Sequence, residues 1–180
     1  MAVTAKGLEG IIANSTRLSD VLGDVGQLIY GGYDINELAG KVSFEEIIHL
    51  LWFGELPNPH QLAELTSHLR NARELPQGVI DFLNAAPVTA NPMDVIRTAV
   101  SMLGLYDTNI DDSSMDRNRD RAVSITARIG VIAGYYHRAR QGKDLPPVRK
   151  DLGEAAHFLY LLNGEAPSQE AADTLDVAYV

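Results

Sequence analysis

Between Ser43 and Pro57 the chain reads SFEEIIHLLWFGELP, with Phe44, Ile47, Ile48, Leu51 and Trp52 at i, i+3, i+4, i+7 and i+8. That period gathers them on one broad helical face, which must be buried. Ser43, with Glu46 three residues on, forms a capping-box pattern. Gly54 and Pro57 supply the stop. Leu50 and Phe53 add apolar surface outside that face, which predicts a central helix buried on most sides.

The same period recurs through the rest of the chain. Asp34–Ala39 reads as a short helix closed by Gly40. Asn58-Pro59-His60-Gln61 starts the next, with Leu62, Leu65 and Leu69 as a narrow stripe. Pro76 opens a helix carrying Val79, Ile80, Phe82 and Leu83, and Asn91-Pro92-Met93-Asp94 opens one that buries Val95, Ile96, Ala99, Val100 and Leu103. A long helix follows, capped by Asp116 and reaching about Gln141, with Ala122, Ile125, Ile129, Ile132, Ala133 and Tyr136 as its apolar set. Gly130 and Gly134 lie inside it. Each costs about 1 kcal/mol against alanine, so the pair predicts a close approach to another helix. Asp151 and Glu154 form a second capping-box pattern, ahead of Leu152, Ala155, Leu159 and Leu162, and Gly164 ends that helix. Pro167-Ser168 opens the last, with Ala171, Ala172, Leu175, Ala178 and Tyr179 as its buried face. It runs apolar to Val180 without a cap or polar tail, the pattern expected of a chain cut within a longer one. A short C-terminal helix docked on the core is the alternative.

Residues 1–33 differ. They are short, β-branched or aromatic segments punctuated by glycine, read as two strands or extended arms near 10–14 and 26–30. A two-stranded unit is marginal alone and is expected to lie on the helical body or on a partner subunit. The expected fold is therefore all-α, residues 34–180, with a short β-hairpin or extended arm over 1–33.

At 180 residues there is room for one domain. A net charge of −9 argues against a main task of gripping nucleic acid. The absence of cysteine excludes disulfides, thiolate metal sites and cysteine nucleophiles, and fits a reducing cytoplasm. No apolar run reaches the roughly 18 residues of a membrane span, and the N-terminus lacks a signal peptide's apolar core.

Candidate chemistry is sparse. Gly7-Leu8-Glu9-Gly10 lacks the spacing of a dinucleotide-binding turn. Asp107, Asn109 and Asp111 share the first spacings of an EF-hand, but Asp112 and Asn118 stand where that loop needs glycine and glutamate. None of His49, His60, His68, His137 and His157 falls at a zinc-ligand spacing, and His49 and His157 read as structural. Arg117, Arg119 and Arg121 cluster at a helix start, where an anion could bind; pairing with the aspartates of the preceding loop is the favoured reading. No catalytic or metal-ligating residue emerges from the residues alone.

The order of motifs is more specific. GLEG at 7–10, QLIYGGYDI at 27–35, ELA at 37–39, SFEE at 43–46, LLWFGELP at 50–57, Leu75-Pro76, Asn91-Pro92-Met93, Arg97 and HFLYLLNGEAP at 157–167 resemble the N-terminal portion of the citrate synthase family. Departures are Gly31 for a common arginine, His157 for a common asparagine and Gly130 for a common proline. The resemblance implies a mostly helical homodimer that condenses acetyl-CoA with oxaloacetate and needs no metal or further cofactor. The 2-methylcitrate synthases, which use propionyl-CoA, are the close alternative. It also implies that the catalytic histidines, the catalytic aspartate and the carboxylate-binding arginines lie beyond Val180, leaving this chain inactive alone. Lys6 matches a basic residue that some relatives hold near the CoA phosphates. A reading of another class is a non-catalytic helical interaction or scaffold protein derived from the family.

Overall fold

The computed structural model describes residues 14–180. The expected strand near 10–14, the GLEG motif and Lys6 lie outside these residues, apart from Asn14, which is not in a strand. The arm is a three-stranded antiparallel sheet of β1 (Ser19–Leu22), β2 (Gln27–Tyr30) and β3 (Tyr33–Asp34), ordered β1-β2-β3. Ser19 pairs with Tyr30 and Leu22 with Gln27. The strand near 26–30 is thus present, while its partner over 19–22 was not foreseen. β1 is exposed along its whole length, so its SDVL carries no buried alternation to betray it.

Eight α-helices follow among the described residues: α1 (Ile35–Leu38), α2 (Phe44–Phe53), α3 (Pro59–Asn71), α4 (Gln77–Ala85), α5 (Pro92–Leu103), α6 (Met115–Ala139), α7 (Glu154–Asn163) and α8 (Gln169–Tyr179). Ser43 and Glu46 make the expected reciprocal cap, with Glu46 N–H donating to Ser43 Oγ and Ser43 N–H to Glu46 Oε2 at 2.7 Å. Asn58 and Gln61 do the same for α3. Gly54 takes the left-handed φ of 86° that ends α2. Ser43→Ala is expected to cost about 1 kcal/mol, read as a lower urea midpoint at unchanged slope.

α2 touches two separate apolar groups, which shifts its buried centre. Ile48 joins Leu65, Leu69 and Ala127 against α3 and α6, with Phe44 and Trp52 at the margin. On the other side Ile47 and Leu50 meet Leu38 and the arm residue Tyr30. Leu50, rather than Leu51 or Trp52, is therefore fully buried, while Phe53 stays 42% exposed. The arm closes over this side at Gly31, whose φ is +56°. A Cβ there would stand 2.9 Å from Leu50 Cδ1, the movable end of a side chain, so it is the left-handed backbone that favours glycine.

The main core lies among α4, α5, α6 and α7 and includes Val79, Leu83, Ala99, Val131, Ile132 and Leu161. α6 differs from expectation in three ways. Its cap is Ser114 rather than Asp116, it ends at Ala139, and Ile125 and Ile129 are 42% and 44% exposed. Val131, Tyr135 and Ala127 take their place, because α6 is covered on the sides facing α3, α4, α5 and α7. The close approach predicted from the glycines exists at Gly134, where a Cβ would stand 2.7 Å from Leu161 Cβ; at Gly130 the nearest side chain is Phe158 at an ordinary 3.7 Å.

The expected Asp151–Glu154 cap is absent. Gly153 is the N-cap of α7, Glu45 of α2 receives the Glu154 N–H at 3.0 Å, and Asp151 pairs with Arg149 instead. The buried residues of α7 are Ala155, His157, Tyr160 and Leu161, not the Leu152–Leu159–Leu162 stripe. α8 is capped by Ser168 and buries only Ala172, with Ala171 and Ala178 exposed.

Candidate functional site

Polar chemistry concentrates where α2, the end of α3 and the start of α7 meet. Arg73 is 0% exposed. One Nη donates to Arg149 O at 2.5 Å and Leu152 O at 2.9 Å; the other donates to Glu154 Oε1 at 2.6 Å. Burial pushes the Glu154 carboxyl up, Arg73 opposes that shift, and Glu45 adds to it. His157, 2% exposed, accepts the Arg149 N–H on Nε2 at 3.2 Å. Accepting there requires the neutral ring with its proton on Nδ1. Burial, then the Arg73 charge, holds the imidazolium form down to a pKa of about 3. Glu154 and His157 also border a cavity of about 260 Å³ walled by Phe44, Phe158 and Tyr179.

His49 is equally structural. Its Nδ1–H donates to Glu55 O at 2.8 Å, tying α2 to the turn after it. His49 and His68 border a groove of about 510 Å³, whereas His60 and His137 are exposed elsewhere. The structure does not bring the histidines into one constellation. Among the described residues no group of three His, Cys, Asp or Glu side chains could hold a metal ion, and no helix is long and apolar enough to cross a membrane.

The arginine cluster takes the favoured reading. Arg121 Nε donates to Asp107 at 2.7 Å, and its terminal nitrogens are wrapped by Asn109 O, Ile110 O and Asp112 O. Arg117 bridges Asp107 and Asp120, each at 3.0 Å, and Arg119 pairs with Asp116 at 3.3 Å. Arg121, ahead of a backbone bond from Asn109, holds the Asp107 carboxyl below its usual range. The residue that opens the EF-hand-like spacing is therefore engaged by guanidinium.

Sequence reasoning passes over Arg73 and Glu45, whose partner Glu154 lies 81 and 109 residues away. A signal existed for Arg73: it lies four residues beyond Leu69 and eight beyond Leu65, on the buried stripe of α3 continued past its end. Glu45 gave none, since its partner is 109 residues away.

Comparison with known proteins places this architecture. The family described as "Citrate synthase, C-terminal domain" matches residues 7–180. The chain is 40% identical over 179 residues to a citrate synthase of Haloferax volcanii, covering 97% of the chain and 47% of that protein. It is 35% identical over 172 residues to 2-methylcitrate synthase 2 of Corynebacterium glutamicum, covering 96% and 45%. The crystal structure of citrate synthase from Pyrobaculum aerophilum superposes with a TM-score of 0.88 at 29% identity, over 95% of this chain and 45% of that one. The chain thus spans about half the length of the curated relatives it matches. With sequence and fold in agreement along nearly its whole length, the chain belongs to the citrate synthase family.

Proposed function

We propose that these residues form the N-terminal part of the large domain of an enzyme that condenses acetyl-CoA with oxaloacetate to citrate and CoA, the entry to the tricarboxylic acid cycle. The supporting observation is the match over nearly the whole chain to proteins about twice its length. In this reading an acid and a base remove a proton next to the thioester and polarise the keto carbonyl. Those groups come from the part of the relatives beyond this match, and the present residues hold the helical frame. Acetyl-CoA and oxaloacetate enter as substrates; no metal or further cofactor is involved. A homodimer in the cytoplasm is the proposed working form. The exposed Ile125 and Ile129 on α6 support burial of that face against further protein.

The 2-methylcitrate synthase relatives support a second reading with propionyl-CoA. The test is release of free CoA thiol from acetyl-CoA and from propionyl-CoA with oxaloacetate. The 180-residue chain is expected to release none at an enzymatic rate. The complete natural polypeptide is expected to be active and to reveal the preference. Turnover by the 180-residue chain overturns this reading.

A further inference from the structure

We propose that the junction of α2, α3 and α7 is a pH-sensitive latch: protonation of His157 breaks its bond to the Arg149 amide and frees residues 148–154 from Arg73 while the helical core stays folded.

The geometry carries this. Residues 148–154 have little regular structure of their own; Val148 and Leu152 rest on the main core, and a small set of polar bonds fastens the backbone between and after them. Arg73 holds the carbonyls of Arg149 and Leu152. Glu154 receives Arg73, Glu45 receives the Glu154 N–H, and His157 Nε2 receives the Arg149 N–H. A proton on Nε2 turns that acceptor into a donor facing a donor. It also adds a third cation beside Arg73 and Arg149, with Asp151 as the carboxylate that favours it. The Arg149 guanidinium lies over the Tyr160 ring, 5.6 Å from its centre, and is paired with Asp151. Arg70 of α3 and Arg73 just beyond its end act on Glu154; from α2, Glu45 does; from α8, Tyr179 borders the same cavity as Glu154 and His157. The far half of α7 is held separately, through Leu161 against Gly134, which lets the first turn part without unfolding the bundle.

The sign follows from linkage. The latched His157 titrates near 3 and the released ring near 6.5, so the released state takes up the proton between those values. The latch is fully held above about pH 6.5 and weakens as pH falls toward 3. Glu154 acts oppositely, because burial raises its pKa in the latched state and its protonation there favours closure. From pH 7 to pH 5 the His157 contribution alone weakens the latch about 25-fold.

Amide hydrogen exchange on the protein between pH 7 and pH 5, with His157 ring 15N shifts, tests this. Protection of the Arg149 amide is expected to fall at least ten-fold while Val131 and Ile132 change less than three-fold. His157→Asn keeps an oxygen acceptor without the titration and is expected to abolish the fall. Flat Arg149 protection, parallel loss at Val131, or an unchanged profile in His157→Asn overturns the proposal. Should that variant not fold, the unsubstituted protein still decides. A neutral ring protonated on Nδ1 at pH 7 is expected, and one protonated on Nε2 overturns it.

Discussion

Arg73→Met is expected to lower the unfolding free energy by about 3–5 kcal/mol, among the largest effects of any single substitution in this chain. The guanidinium is 0% exposed and satisfies two carbonyls and a carboxylate at once. Its removal leaves Glu154 buried without its partner and strips Arg149 O and Leu152 O of their donor. Water cannot replace it readily in a site so enclosed, so each orphaned group carries its desolvation cost. Methionine fills similar volume and separates this from a cavity effect. Adding Glu154→Gln removes the uncompensated charge and is expected to recover part of the loss, giving a coupling in a double-mutant cycle of about 1–3 kcal/mol. Urea unfolding of the four proteins measures all of it. A loss in Arg73→Met below about 1 kcal/mol would show that the junction does not fasten α7.

Gly134→Ala carries the second large effect, and its sign is the informative part. Helix propensity alone makes the change stabilising by about 1 kcal/mol. Here the new Cβ would stand 2.7 Å from Leu161 Cβ, an atom fixed by its own backbone. Neither atom can rotate away, so α6 and α7 must separate, at an expected net cost of about 1–3 kcal/mol. Leu161→Ala keeps the same Cβ and gives no relief. Gly130→Ala is the internal control. Its nearest neighbour is Phe158 at 3.7 Å, and that substitution is expected to be neutral or stabilising. Thermal melting of both variants distinguishes them, and a stabilised Gly134→Ala would contradict the close helix contact.

The helices were legible because their signals are local. Ser43 with Glu46 and Asn58 with Gln61 close their bonds within three residues, and the glycine stops at 54 and 164 need only a left-handed φ. Most of what failed depends on distant neighbours; the α6 cap, Ser114 Oγ receiving the Arg117 N–H, is the local exception. Ile125 and Ile129 repeat at helical spacing as well as Val131 and Tyr135 do, yet the described residues leave the former exposed. The cap of α7 was misplaced because the carboxylate that receives its first N–H arrives from Glu45, 109 residues earlier. The engagement of Asp107 by Arg117 and Arg121 was readable, since both partners lie within fourteen residues. The buried junction around Arg73 was not, because it joins Glu45 of α2, Arg73 beyond the end of α3 and Glu154 of α7, partners 81 and 109 residues apart in the chain.

The family resemblance was legible for a different reason: many short motifs recur in one order, and together they are specific where each is weak. The proposed reaction rests on that resemblance alone. In the proposed enzyme these residues supply the frame, and among the described residues no constellation of side chains points to a condensation chemistry.

The most direct test of the central proposal is the intact mass of the natural polypeptide that carries this sequence. A mass about twice the 19.6 kDa of these residues is predicted, in line with relatives of which they cover about 47%. A natural protein of 19.6 kDa would contradict the proposal and make this a family member without the condensing machinery, working as a helical interaction protein.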